Sequence, residues 1–210
     1  VLEEISRADA GMGVTVGVHT SAVTLPILNF GTDEQRARFV PPLARGELIG
    51  AFALTETEAG SDAGALRTKA EPDGDGWRLN GQKTWTTSAH FAEWYWVGAR
   101  TDPDAPKHHG ITLFLVPLDD PGLTIRPIWT MGDERTNEVF FDDVFVHDDY
   151  VVGDLNRGFQ YIAQALDLER FTMFTYSQIE ERIRILTDHV REATIDGESL
   201  KHDPVIRQRV

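Results

Sequence analysis

The sequence predicts an α+β fold: a helical segment, a β-barrel-like middle module, then helices again. Three observations carry this. Apolar residues near both ends recur at helical spacing, while the stretch between is a series of short aromatic and β-branched runs. Turn residues separate those runs, and helices and strands never alternate along the chain, which argues against a doubly wound sheet. With 210 residues, 41% of them hydrophobic, the chain suits one or two domains with a buried core.

Residues 1–47 read as helical with two proline-marked breaks. Leu2, Ile5 and Ala8 share a helical face, and Gly11 and Gly13 interrupt the pattern. Thr32-Asp33-Glu34 reads as a helix start with acidic residues in its first turn, and Pro41-Pro42 is expected to end or bend that helix. From about 48 to 152 the chain reads as β structure. Asn80-Gly81, between Trp77-Arg78-Leu79 and Lys83 to Thr87, is a hairpin signal because both turn positions favour positive φ. Trp94 to Ala99, Ile111 to Val116, Leu123 to Ile128 and Val139 to Phe141 continue the series, with Asp142-Asp143 among the turns. Helical spacing returns from 156 to about 192. Phe159, Ile162, Leu166 and Met173 mark one face, and Ile179, Ile183, Leu186 and Val190 another. A further helix begins near Pro204.

Charge narrows the function classes. Asp and Glu number 34 against 20 Lys and Arg, a net charge of -14, which argues against nucleic acid and anionic membrane as partners. With no cysteine there is no disulfide, thiolate nucleophile or Cys-ligated zinc. The seven histidines are scattered without metal-site spacing, so no metal is expected. No apolar run approaches the ~20 residues of a membrane span, and no membrane insertion is expected.

Two stretches suggest a ligand. In Ala51 to Asp62 a strand-like start passes into small and hydroxylated residues. Backbone there can approach a flat or phosphorylated ligand, with Thr55 and Ser61 as hydroxyl donors; the same run also reads as a polar turn after a strand. In Asn80 to Ala89, alternation puts Trp85 and Thr87 on one strand face, an aromatic plane beside a hydroxyl. An ordinary barrel strand with a core Trp has the same pattern. Glu169 is a third point of interest: it lies seven residues after Ile162, three after Leu166 and four before Met173. A carboxylate in an apolar stripe is a candidate acid or base, or else a partner of Arg170 or a solvated edge of the stripe.

In order and separation, the runs 51–62 and 80–89 resemble the flavin-binding signature of the acyl-CoA dehydrogenase family. Gly98 to Asp102, Met131-Gly132, Glu138 to Val144, Gly153, Asn156 to Phe159 and Leu166 to Arg170 follow in register. The resemblance covers essentially the whole chain. It implies the end of an N-terminal helical domain (1–47), a middle β domain (48–155) and the start of a C-terminal helical domain (156–210), cut short at both ends. His147 and Ser88 depart from it, standing where Pro and Asn are usual.

The resemblance also implies roles. Phe52, Leu54 and Thr55 would line the pyrimidine edge of FAD, and Ser61 would lie near its pyrophosphate and the acyl-CoA. Trp85, Thr86 and Thr87 would flank the isoalloxazine, with Thr87 near flavin nitrogen N5. Asp167 and Arg170 would contact the CoA moiety, and Glu169 matches one of two positions at which the family places its catalytic base. The implied reaction is α,β-dehydrogenation of an acyl-CoA to the trans-2-enoyl-CoA, with electrons passing to an electron-transfer flavoprotein. A homo- or hetero-oligomer is implied, in a bacterial cytoplasm or a mitochondrial matrix. Flavin monooxygenases and nitroalkane oxidases share the fold, and a non-catalytic subunit of a heteromeric dehydrogenase is a further alternative.

Overall fold

The computed structural model describes residues 1–173 and 176–209, the side chains of 171–173 excepted, so the expected place of Met173 on its helical face lies outside the described residues. The chain forms two compact units, Val1–Gly17 with Arg170–Val210, and Val18–Glu169.

In the smaller unit, α1 (Leu2–Ala8) meets α6 (Ser177–Glu192). The Glu3 carboxylate accepts from the N–H groups of Tyr176 and Ser177 at the start of α6, and Arg7 Nη1 donates to Glu180 at 2.6 Å. A carboxylate there satisfies orphan N–H groups and matches the helix dipole. Of the apolar face expected on α6, Ile179, Ile183 and Leu186 are exposed. A short hairpin, β9 (Thr194–Ile195) with β10 (Glu198–Ser199), and α7 (Pro204–Arg209) follow.

Helix α2 (Ala10–Val18) leads through a π-turn (His19–Thr24) into α3 (Leu25–Phe30). Together Ala10–Phe30 is a helix of 21 residues, long and apolar enough by length and composition to cross a membrane. This corrects the expectation that no apolar run approaches the length of a membrane span. The π-turn absorbs Pro26: Leu25 N–H bonds back five residues to Thr20 O, just before the residue with no N–H to give. Val23 and Ile27 from this stretch are buried in the core of the larger unit.

Helix α4 (Asp33–Ala44) starts where the sequence placed it, with Thr32 and Gln35 forming a reciprocal capping box. Pro41-Pro42 does not end it; the helix continues to Ala44. Each proline forgoes its own N–H bond to the carbonyl four residues back, and the helix runs on for only two residues past Pro42.

The larger unit is built on one sheet of eight strands: β1 (Gly50–Ala53), β2 (Lys69–Asp73), β3 (Gly76–Lys83), β4 (Trp94–Arg100), β5 (Ile111–Pro117), β6 (Leu123–Trp129), β7 (Arg135–His147) and β8 (Val151–Val152). Its order is β6-β7-β3-β2-β4-β5-β8, with β1 parallel to β4, so pairing stays open between β6 and β8. Alternate side chains, among them Leu79, Tyr95, Val97, Phe114 and Val144, form the core on one face. On the other face Trp96, Leu113 and Leu115 pack with Val23, Ile27, Phe39, Leu43 and Ile162 from the helices. Strands β4 and β5 are therefore buried on both sides, and their sequences are accordingly almost wholly apolar.

Two expected turns are one bulge. Asn80-Gly81 lies inside β3 and Asp142-Asp143 inside β7, and the register slips between Leu79 and Gly81. Asn80 Oδ1 accepts from Asp143 N–H at 2.9 Å, and Asp143 has φ +56°. Residues that tolerate positive φ serve a bulge as well as a hairpin, and the bulge bends the sheet. The true hairpin turn is Gly74-Asp75, between β2 and β3. Gly81 has φ +154°, and a Cβ on it would come within 2.7 Å of Thr68 Cα. Gly81→Val should therefore cost about 2 kcal/mol or more. Urea unfolding checks this: the midpoint should fall at an unchanged slope, and an unmoved midpoint would contradict the bulge account.

Candidate functional site

The two ligand-suggesting runs meet in the larger unit. Strand β1 ends at Ala53 and β3 at Lys83, and the segments leaving them are tied by Thr84 N–H to Thr55 O at 2.9 Å. A buried ion pair adds to the tie. Lys83 Nζ lies 2.7 Å from Glu56 Oε1 and donates to Leu54 O at 3.1 Å. Glu56 also accepts from the N–H groups of Arg67 at 2.6 Å and Thr68 at 2.9 Å. Glu56 and Ala59 exchange backbone bonds of 3.1 Å, closing the turn between them. Burial raises the Glu56 pKa, but the Lys83 ammonium and the three hydrogen bonds outweigh it and hold the carboxyl below its ordinary range. Burial pulls the Lys83 ammonium down, against the opposing pull of Glu56.

Neither member of this pair was picked out from the sequence as functional. In β3, which runs through Asn80-Gly81, Lys83 shares strand parity with Trp77 and Leu79, both buried, and so belongs to the inward face; the turn chemistry of Asn80-Gly81 hides that parity in the sequence. A lysine there needs a partner.

The segment after β3 is not the strand expected. Trp85 has φ +58° and Ser88 φ +68°, and Thr87 N–H bonds to Trp85 O at 3.0 Å in a tight turn. Trp85 and Thr87 are nevertheless both exposed and Thr86 is buried between them, so the out-in-out order survives by turn geometry instead of pleat. Trp85 is 59% exposed. A bulky residue at positive φ that leaves its indole in solvent combines two unfavourable features, as ligand sites do. Positive φ at 88 also gives a reason for Asn at that place in the family resemblance, since Asn tolerates that region better than Ser. Thr86 is pinned by Asn137, whose carbonyl accepts from Thr86 N–H at 3.0 Å and whose Nδ2 donates to Thr86 O at 2.9 Å.

Phe52 is half-buried and its ring stacks at a tilt on Trp96, 4.8 Å between centroids. Leu54 is buried, Thr55 half-buried and Ser61 exposed. Helix α5 (Gly158–Met173) shares a core cluster with Leu54. Gly98 of β4 leaves room for Ile162 and Leu54 together: a Cβ there would meet Ile162 Cδ1 at 3.3 Å and Leu54 Cδ1 at 3.5 Å. The helix entry is fixed by Asn156, whose N–H donates to Thr112 Oγ1 at 2.9 Å and whose Oδ1 accepts from Thr101 Oγ1 at 2.6 Å. Glu169 follows Ile162 by two helical turns, roughly 10 Å along the axis. It is half-buried, whereas Asp167 and Arg170 are exposed. Ile162 and Ala165 are buried and Leu166 partly so, which puts Glu169 at the border of the apolar stripe.

The residues present fit a flavin. An exposed indole, flanking threonine hydroxyls and a rigidly tied loop can receive a flat heterocycle with a polar edge. Thr86 Oγ1 is buried without a protein partner, a hydroxyl with bonding capacity left over. Among the described residues, no three His, Cys, Asp or Glu side chains gather in a way that could hold a metal ion.

Comparison with known proteins agrees with this arrangement. Residues 51–144 match the model of the acyl-CoA dehydrogenase middle domain, and residues 1–47 that of the N-terminal domain. The chain is 48% identical over 167 residues to acyl-CoA dehydrogenase FadE34 of Mycobacterium tuberculosis, covering 77% of this chain and 24% of that one. Butyryl-CoA dehydrogenase from Megasphaera elsdenii superposes with a TM-score of 0.91 at 30% identity, over 99% of this chain and 56% of that one. A glutaryl-CoA dehydrogenase from Mycobacterium smegmatis in complex with FADH2 does so at 0.87 and 28%, over 99% and 53%. The chain thus spans about a quarter of that relative and about half of each solved chain. With both family models in register on a fold of this likeness, the chain belongs to the acyl-CoA dehydrogenase family.

Proposed function

We propose that this chain carries the flavin cradle and the catalytic base of an enzyme that dehydrogenates an acyl-CoA thioester across its α and β carbons. The observation that carries the reading is the junction of the two motifs, where Thr84 N–H meets Thr55 O and Lys83 meets Leu54 O. It supports reading Thr55, Trp85, Thr86 and Thr87 as the lining of one locus. Bound FAD supplies the acceptor for the hydride that leaves the β carbon. Glu169 takes the α proton, so that one proton and one hydride are lost and a trans-2-enoyl-CoA forms. Thr55 and Thr87 present hydroxyls to the heterocycle, Trp85 covers its edge, and Phe52 and Leu54 hold the loop against the sheet. Ser61 and Asp167 are exposed, and the family resemblance assigns them, and separately Arg170, to the CoA moiety. Electrons leave to an electron-transfer flavoprotein, and the working enzyme is an oligomer.

The test is a panel of acyl-CoA thioesters with an artificial electron acceptor. A product two hydrogens lighter than its substrate is expected. Fast oxygen consumption without enoyl product would place the protein among the oxidases and monooxygenases of the same fold. Thr87→Ala should slow flavin reduction about 10²-fold, as loss of one preorganised donor does, while acyl-CoA affinity changes little. Unaltered reduction kinetics and an unaltered flavin spectrum in that variant would remove Thr87 from the site.

A further inference from the structure

Lys83 is fully buried and forms an ion pair with Glu56. A buried ion pair is a poor stabiliser, because the loss of hydration offsets its attraction; an apolar pair of similar size often does as well or better. Something other than stability should explain an ammonium at this position, and its second contact supplies a reason.

Lys83 Nζ donates to the carbonyl oxygen of Leu54. The peptide joining Leu54 to Thr55 is trans, as are all those described, and a trans peptide is planar with C=O and N–H on opposite sides. Holding the Leu54 carbonyl inward on the buried ammonium therefore turns the Thr55 N–H the other way. Thr55 O is fixed in turn by Thr84 N–H. Both peptide planes flanking Thr55 are thus locked, one by a side chain of β3 and one by the backbone just beyond it. Glu56 in turn holds Lys83, and two further N–H groups hold Glu56.

We propose that Lys83 is a positioning residue: with Glu56 it locks the Leu54–Thr55 peptide so that the Thr55 N–H faces out of the sheet core and onto the heterocycle of the bound cofactor. The proposal rests on the flavin reading above. It explains why the two runs, 51–62 and 80–89, carry a buried anion in one and a buried cation in the other. Lys83 touches neither cofactor nor substrate; it acts through Thr55.

The experiment uses the flavin-loaded enzyme and the double variant Lys83→Met/Glu56→Met, which replaces the pair with apolar side chains of similar length. Three quantities are read: the melting temperature of the apoprotein, the Kd for FAD, and the Kd for ADP, which shares the adenine end of FAD but lacks the ring. The double variant orphans the Leu54 carbonyl and the N–H groups of Arg67 and Thr68, so it should melt below the parent, yet bind ADP equally and bind FAD about tenfold more weakly, the scale of one lost aimed hydrogen bond. A merely structural role would weaken ADP and FAD together. Equal FAD affinity in parent and double variant overturns the proposal. Failure of the double variant to fold overturns it too, since a pair needed for the fold is not a positioning device. As a milder check, Glu56→Gln keeps one acceptor oxygen for Lys83 and Thr68 while losing the one that Arg67 N–H uses, and should bind FAD within a few-fold of the parent; a tenfold loss there contradicts the lock as described. A parent enzyme that takes up no FAD would instead overturn the flavin reading itself.

Discussion

Glu169→Gln is expected to bind FAD and acyl-CoA much as the parent does, and to reduce its flavin roughly 10²–10⁴-fold more slowly. The substitution keeps the shape and removes the proton acceptor. A base must reach the α carbon, and Glu169 is well placed for restricted exposure: half-buried, two turns beyond Ile162, on a helix whose entry is fixed by the Thr101, Thr112 and Asn156 network. Glu169→Asp should keep part of the activity, because the carboxylate survives but is drawn back by one methylene. Stopped-flow measurement of flavin reduction separates the cases. Reduction of Glu169→Gln at the parental rate would move the base to the family's other position, outside these 210 residues.

The second large effect concerns stability. Lys83→Met on its own should destabilise the protein by about 3–5 kcal/mol, because it leaves the Glu56 carboxylate buried and uncompensated. That is a large part of the total stability of a typical domain, about 5–15 kcal/mol. Glu56→Met added to it should restore only part of the loss, because it removes the buried charge but leaves the N–H groups of Arg67 and Thr68 without their acceptor. Denaturant unfolding of the two variants checks both statements, and a single variant as stable as the parent would mean that the pair is not buried as described. The pH dependence has a definite sign. The Glu56 pKa is lowered on folding, so its contribution is present above the ordinary carboxylate range and is lost as pH falls through the lowered folded value.

Much of this was legible in the sequence, for identifiable reasons. Strands β4 and β5 announced themselves because burial on both faces makes them apolar throughout. Helix α4 was readable from its N-cap, which is a local interaction. The misplaced features all depend on distant partners. Asn80-Gly81 and Asp142-Asp143 carry turn chemistry, and only their pairing across β3 and β7 makes them a bulge. The end of β3 at Lys83 is likewise set from afar, by Leu54 O and Glu56. Trp85 and Thr87 were placed on the same side for the wrong reason, a pleat where the structure has a turn at positive φ. Glu56 escaped notice as a site residue because nothing local distinguishes it from Glu58, which is exposed.

The most direct test is anaerobic mixing of the FAD-loaded enzyme with acyl-CoA thioesters of graded length and branching. The account predicts that at least one thioester bleaches the oxidised flavin absorbance within a single turnover, with one equivalent of trans-2-enoyl-CoA formed per flavin reduced. An enzyme that binds FAD and CoA esters yet keeps its oxidised spectrum with every thioester would contradict it.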